Sequence, residues 1–333
     1  MHIILKKITY LLLGLTLLIS CRKSDQITPV TDRNTLNYVV RDNFSLRFFA
    51  IALNRTGIEK QLEAEGQLTV LAPSDEAFIS AGYNTQAAVA AAASKINSQI
   101  QYHILQEIHK ISDQPLGFNK QIKTSTGKSV YLTRVKLGVD TITTINGARI
   151  LKNDIPSSNG LIHAIDKLLF PMEFDKVGEA ISAEKDLSLF YQALKYTGLL
   201  TVLNGPGQYT VFALDNASMI ANGYPTLQSI LAADKELLSA MLRFHIVPKQ
   251  RFVHDYFFLA EEGRKDVVET MLDGRTIKVV YEEKYQVPNS FSGIKIQGPG
   301  NGQNSWDMFK PKLSDYIVAG NGIVHVLNKA LKP

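Results

Sequence analysis

Residues 68–83 read LTVLAPSDEAFISAGY, and 141 positions later residues 209–224 read YTVFALDNASMIANGY. Thr69, Val70, Ala72, Ile79, Gly82 and Tyr83 recur as Thr210, Val211, Ala213, Ile220, Gly223 and Tyr224. In the first copy LTVLA is a strand-like apolar run that stops at Pro73, a residue with no N–H to give to a ladder. Ser74 then stands where a helix N-cap belongs, and in the second copy that place is Asp215. Either side-chain oxygen can accept from a free N–H of the first helical turn. The triplet Ser74-Asp75-Glu76 invites a catalytic reading, but the second copy replaces it by Asp215-Asn216-Ala217, and the chain has no G-x-S-x-G elbow. What both copies keep is a strand, a stop, a cap and a helix.

The repetition extends on both sides. Upstream, Leu46, Phe49, Ala52, Leu53, Thr56 and Gly57 recur as Leu187, Phe190, Ala193, Leu194, Thr197 and Gly198. Their spacing is helical, and the Thr-Gly pair sits where a C-terminal glycine ends a helix. Downstream, QYHILQ (101–106) is echoed by RFHIVP (243–248), and NGLIHAIDKLLFP (159–171) by NGIVHVLNKALKP (321–333). Only the segment before the last phrase grows, by twenty residues. In KELLSAMLRF (235–244), Leu237, Leu238, Met241 and Leu242 make one apolar helical stripe. TITTINGARI (141–150) and MLDGRTIKV (271–279) flank Asn146-Gly147 and Asp273-Gly274 with β-branched residues, which predicts hairpins. Each unit is therefore α+β, helices first and a β-rich half second. The two domains run over 35–171 and 176–333, joined near Met172–Lys176.

The start of the chain has another character. Lys6 and Lys7 precede an apolar run from Ile8 to Ile19, the length of a signal-peptide core and short for a membrane span. It ends in Leu18-Ile19-Ser20-Cys21, which resembles a bacterial lipobox, and Cys21 is the single cysteine of the chain. Residues 1–20 read as a lipoprotein signal peptide, Cys21 as the lipidated residue, and 21–34 as a polar tether. Arg22 stands where an aspartate often accompanies inner-membrane retention, which points to the outer membrane. The formal charge of +5, less two once Lys6 and Lys7 are removed, carries no Lys/Arg cluster of the kind nucleic acid requires.

Three phrases occur in order in each copy: TVLAPSDEAF, Tyr102-His103 and NGLIHAIDKLL in the first, with Leu214, Met219 and Phe244-His245 as departures in the second. Together they resemble the fasciclin (FAS1) domain family over nearly all of the chain after the tether. The resemblance implies, for each domain, a β-sandwich-like wedge decorated by helices, and a non-enzymatic role in adhesion, binding extracellular protein, matrix or glycan without a cofactor. It also implies partner binding near Tyr102 and His103, carried by match to Phe244 and His245, where the phenol is absent.

Other residues leave alternatives open. His103, His163, His245 and His325 occupy matched positions, but no ligand spacing recurs and Asp166 becomes Asn328, so histidines bonded to backbone explain the recurrence better than a metal does. Asn159-Gly160 and Asn321-Gly322 read as turns. Between Val253 and Gly320 lie Tyr256, Phe257, Phe258, Tyr281, Tyr285, Phe291, Trp306 and Phe309, with glycine-rich IQGPGNGQNSW (296–306) among them. Aromatic faces suit sugar rings or protein partners, so Trp306 is a candidate binding residue; the other aromatics read first as cover for the domain's own core. The functional rivals are an accessory glycan-capture lipoprotein of a nutrient-uptake system and a hydrolase or metal-dependent enzyme.

Overall fold

The phrase that opens each copy folds as a strand, a cap and a helix in the computed structural model, which describes residues 34–64, 66–260, 264–283, 291–301, 307–309 and 316–333. The leader and tether, Cys21, Tyr285 and Trp306 lie outside those residues. The first domain runs α1 (Leu36–Arg41), α2 (Arg47–Thr56), α3 (Glu59–Glu63), β1 (Leu68–Pro73), α4 (Asp75–Ser80), α5 (Gln86–Ala91), α6 (Ala93–Tyr102) and β2 (Ile104–Gln106). Five strands follow: β3 (Gly117–Lys123), β4 (Ser129–Leu137), β5 (Asp140–Ile145), β6 (Ala148–Ser157) and β7 (Gly160–Ile165). The second domain repeats the order with α7 (Val177–Ala183), α8 (Ser188–Thr197), α9 (Leu199–Leu203), β8 (Tyr209–Leu214), α10 (Asn216–Ala221), α11 (Leu227–Leu231), α12 (Lys235–Arg243) and β9 (Ile246–Val247). It adds α13 (Val253–Leu259) before β10 (Asp266–Thr270), β11 (Thr276–Glu283), β12 (Phe291–Gln297), β13 (Asp307–Phe309), β14 (Tyr316–Ala319) and β15 (Gly322–Leu327).

The first domain's strands form one seven-stranded sheet in the order β2-β1-β7-β6-β5-β4-β3; the second domain's described strands form two four-stranded sheets, β14-β15-β8-β9 and β10-β11-β12-β13. At the centre of each domain the opening strand pairs in parallel with the closing one, Leu68↔Gly160 through Pro73↔Ile165 and Tyr209↔Gly322 through Leu214↔Leu327. Both faces of β1 are covered, as its continuous apolar run requires. Val70 and Ala72 pack with the helices, while Leu71 faces a second cluster with Tyr102, Val130 and Ile145.

Local chemistry sets the boundaries. Ser74 Oγ accepts from Ala77 N at 3.2 Å, and Asp215 Oδ1 from Ser218 N at 2.7 Å. Gly57 and Gly198 end α2 and α8 at φ 75° and 81°, the left-handed turn that glycine takes without a Cβ clash. The Asn146-Gly147 hairpin forms as predicted, both residues at positive φ, and Gly274 turns the β10–β11 hairpin at φ 85°. One expectation fails. Leu237 is 70% exposed, while Leu238 and Leu242 are fully buried. Consecutive residues point about 100° apart on a helix, and the core takes only the Leu238 side.

The Asn-Gly pairs do more than turn. Asn159 Oδ1 accepts from Leu36 N at 2.8 Å, and its Nδ2 donates to Leu62 O and Ala64 O at 3.0 and 2.8 Å. Asn321 accepts from Val177 N at 2.8 Å and donates to Leu203 O at 2.7 Å. Each asparagine thus ties the start of its domain's first helix to the end of its third. A Cβ on Gly160 would collide with the Leu68 carbonyl oxygen, and one on Gly322 with that of Tyr209.

The two domains meet through polar groups that the repetition does not share. Asp255, fully buried at the start of α13, accepts from Phe252 N at 2.9 Å within its own helix. From the first domain, Asn119 Nδ2 donates to Asp255 Oδ2 at 2.9 Å and to Gln250 O at 2.9 Å, and Thr133 Oγ1 lies 3.3 Å from Asp255 Oδ1. Tyr131 Oη donates to Gly320 O at 2.6 Å, its ring packing near Phe252. Asp255→Ala leaves these donors buried without an acceptor and should cost about 2–4 kcal/mol. It should also split a shared calorimetric unfolding transition into two; one transition at an unchanged temperature would show that this network does not couple the domains.

Candidate functional site

The Tyr-His phrase ends the last helix before the sheet returns, and the structure puts it inside. Tyr102, His103, Phe244 and His245 are all fully buried. Tyr102 Oη donates to Ser129 O at 2.5 Å and accepts from Asn146 Nδ2 at 2.9 Å, while Asn146 Oδ1 accepts from Tyr131 N at 2.8 Å. The predicted site is thus a brace between helix and hairpin. In the second copy Phe244 cannot make that bond, and the Arg275 guanidinium lies 4.8 Å from its ring centroid instead. In this conformation none of the four offers an atom to a partner.

The imidazoles follow the same logic. His103 Nδ1 lies 2.7 Å from Gln99 O, and its Nε2 accepts from Leu169 N at 2.9 Å. His245 repeats this with Met241 O at 2.8 Å and Leu331 N at 2.9 Å. A carbonyl on one side and an N–H on the other select the neutral ring with its proton on Nδ1. His163 takes the other tautomer, accepting from Asp154 N at 3.0 Å and donating to His109 O at 2.9 Å. The counterpart His325 is equally buried and lies beside the backbone of Arg251, which matches His109 in the repeat. Thr69 and Thr210 complete this frame: each hydroxyl donates to a carbonyl, of Glu107 or Lys249, and accepts the N–H two residues on, of His109 or Arg251.

The tempting triplet resolves in the same way. Beside the cap Ser74, buried Asp75 accepts from Phe48 N at 2.8 Å and Arg47 Nε at 3.1 Å, and Asn216 accepts from Leu189 N at 2.9 Å. The second residue of the triplet caps the neighbouring helix in both domains. Among the described residues no group of three His, Cys, Asp or Glu is placed to hold a metal, and no helix is long and apolar enough to cross a membrane. Tyr256 and Phe257 are buried, Phe258 and Tyr281 pack against the same core, and the Phe257 and Tyr281 rings meet edge-on with centroids 5.0 Å apart. These four cover the domain's interior.

What remains open to solvent lies elsewhere. A shallow hollow of about 570 Å³ runs between α2 and α5, floored by Ile51 and Ala87 and rimmed by Arg41, Arg55, Glu59 and Glu63. A smaller cleft of about 310 Å³ lies where the chain's last residues meet the Gly298–Asn301 turn. The second is lined by residues of two repeated phrases, Ser218, Asn222, Asn328 and Lys332 among them, and by the glycine-rich turn.

Burial has a pH consequence. It pulls His103, His245 and His325 down to about 4 from the ordinary 6.5, and lowers His163. The unfolded imidazoles take up protons below 6.5 while the folded ones stay neutral, so stability is lost as pH falls from 6.5 towards 4. Asp255 opposes this: burial raises it to about 6, against hydrogen bonds from Asn119 and Phe252 and the field of Arg251, so its own contribution improves as pH falls below 6. Burial raises Asp166 as well, but the lowered histidines outnumber the two raised carboxylates. Denaturation midpoints should therefore drop as pH falls through this window, and His245→Asn should flatten the slope. An unchanged slope would mean that His245 titrates normally in the folded protein.

The Fasciclin domain profile matches residues 45–171 and 185–333. The transforming growth factor-beta-induced protein ig-h3 of Sus scrofa is 24% identical over 278 residues, covering 83% of this chain and 36% of that protein. Periostin of Homo sapiens is 25% identical over 283 residues, covering 83% and 29%. Fasciclin-1 of Drosophila melanogaster is 22% identical over 314 residues, covering 87% and 44%. The chain spans less than half the length of these curated relatives. A solved FAS1 domain pair from the insect cell adhesion molecule Fasciclin I aligns with 88% of this chain and 98% of its own, at 18% identity and a TM-score of 0.39. With both halves matched and the same backbone frame built twice, the chain belongs to the Fasciclin domain family as a tandem pair.

Proposed function

We propose that this chain is a non-enzymatic binding protein of the cell envelope, held by a lipid on Cys21 and presenting two joined fasciclin domains to an extracellular protein, matrix or glycan. One observation carries the non-enzymatic part: the repeated chemistry-bearing residues are spent on the fold. His103, His163 and His245 bond to backbone on both ring nitrogens, and Ser74 and Asp75 cap helices. The family's usual adhesive role supports the binding part, and the lipobox-like Leu18-Ile19-Ser20-Cys21 supports the anchor. Two modules fixed on one body let two modest contacts act together at high effective concentration.

The outer membrane is the favoured location, from Arg22 after Cys21. Cys21→Ser should move the protein from the membrane fraction to the soluble one; full retention by the variant would remove the anchor from this reading. The mature pair should bind extracellular matrix or envelope proteins on an array without altering them. Turnover of ester, peptide or glycoside substrates that His163→Ala abolishes would instead favour the hydrolase.

A further inference from the structure

The cleft at the end of the second domain has a counterpart in the first, and the two have diverged in one direction. Counting along the repeat, Ala77, Ala81, Asp166 and Phe170 of the first domain become Ser218, Asn222, Asn328 and Lys332 of the second, while Lys167 stays a lysine as Lys329. Two small apolar residues and a ring give way to a hydroxyl, an amide and a cation, and the one carboxylate loses its charge. In the first domain the lysine of this corner is turned to the partner domain. Lys167 Nζ donates to Gly147 O at 3.2 Å and lies 3.4 Å from His254 Nε2 of the second domain, and burial lowers the amine to about 8. In the second domain Asn328, Lys329 and Lys332 are exposed.

The walls of that second cleft are built. Asn301 Oδ1 accepts from Gly298 N at 3.1 Å and Lys332 N at 2.8 Å, its Nδ2 donates to Ala330 O at 3.1 Å, and Gly300 N donates to Lys332 O at 3.0 Å. The glycine-rich turn is thereby pinned along the chain's last residues. A Cβ on Gly298 would strike the Lys332 carbonyl oxygen, so that glycine permits the close approach. Asn222 Nδ2 donates to Ser218 O at 2.7 Å, which fixes its amide in the cleft wall. Among the described residues no Asp or Glu lines the cleft.

We infer that this cleft, between Lys329, Lys332, Asn222 and the Gly298–Asn301 turn, binds an acidic sugar residue, a uronate or a sulfated hexose. Two cations with no lining carboxylate call for an anion. The amides of Asn222 and Asn328 offer donors and acceptors together, as sugar hydroxyls require. Its volume of about 310 Å³ is at the small end for an organic ligand, the scale of a single sugar unit rather than a folded partner. Among the described residues no aromatic lines it, so charge is the contribution the cleft offers, and binding weakens as salt screens exposed lysines.

The inference rests on the binding role proposed above and names the class of ligand for one surface. The test titrates the mature protein with a galacturonate oligomer, a sulfated galactose oligomer, a neutral galactose oligomer and poly-glutamate, at low and high salt. At least one acidic oligomer should bind at low salt, with affinity falling as salt rises, and the neutral oligomer should not. The double variant Lys329→Gln, Lys332→Gln should lose about tenfold in affinity with an unchanged melting temperature, both lysines being at the surface. Failure of both acidic oligomers to bind, equal binding by the double variant, or equal binding of poly-glutamate would each overturn the acidic-sugar site. Retained binding of the double variant to protein partners on the array would show that such a failure leaves the broader function standing.

Discussion

Everything in each domain hangs on one parallel strand pair. LTVLAP must lie beside GLIHAI, and YTVFAL beside GIVHVL, although each pair is separated by most of its domain. The approach is close enough that Gly160 and Gly322 tolerate no Cβ at its mouth. From that pair the rest follows in space. The asparagine before each glycine clasps the ends of two helices, the histidine three residues after the glycine is sealed inside, and the helices close over one face of the strands. Separating the pair would release all of these bonds together, which is why the closing phrase is written as carefully as the opening one.

The buried imidazoles show how a residue known for chemistry can be committed to structure. A ring nitrogen that accepts from a backbone N–H cannot also be protonated without losing that bond, so His103, His163 and His245 are each held in one neutral tautomer. The commitment ties stability to pH, with Asp255 pulling the other way because its burial favours the protonated acid. The same groups would make poor catalysts and good struts.

The pairing of the domains depends on asymmetry. Asn119, Tyr131 and Thr133 of the first domain reach Gln250, Asp255 and Gly320 of the second. Asp255 stands on α13, a helix that the first domain replaces by a short turn around Ile111–Asp113. Two copies of one fold are thus fitted to different neighbours: Lys167 of the first lies against the partner domain, and the matching corner of the second is polar and basic. Duplication supplied the frame, and divergence at a few surface positions supplied the difference between an interface and an open cleft.

Much of this was legible in the residues alone. The repeat, the strand-stop-cap-helix phrase, the Thr-Gly helix ends and the Asn-Gly hairpin are local features. A cap needs an oxygen within three residues, and a left-handed turn needs a glycine or asparagine at one position, so the chain states them directly. Whether a side chain faces inward is another kind of fact. Tyr102 and His103 were candidates for binding through the family resemblance, and only packing against Ser129, Asn146 and Leu169 shows them sealed. Leu237 looked buried because its neighbours are, and the width of the core leaves it outside. The sequence by itself determined the elements, their order and their duplication. The tertiary structure alone decided which polar groups were used up in holding those elements together and which stayed open to a partner, because burial and hydrogen-bond partnership arise from contacts between residues far apart in the chain.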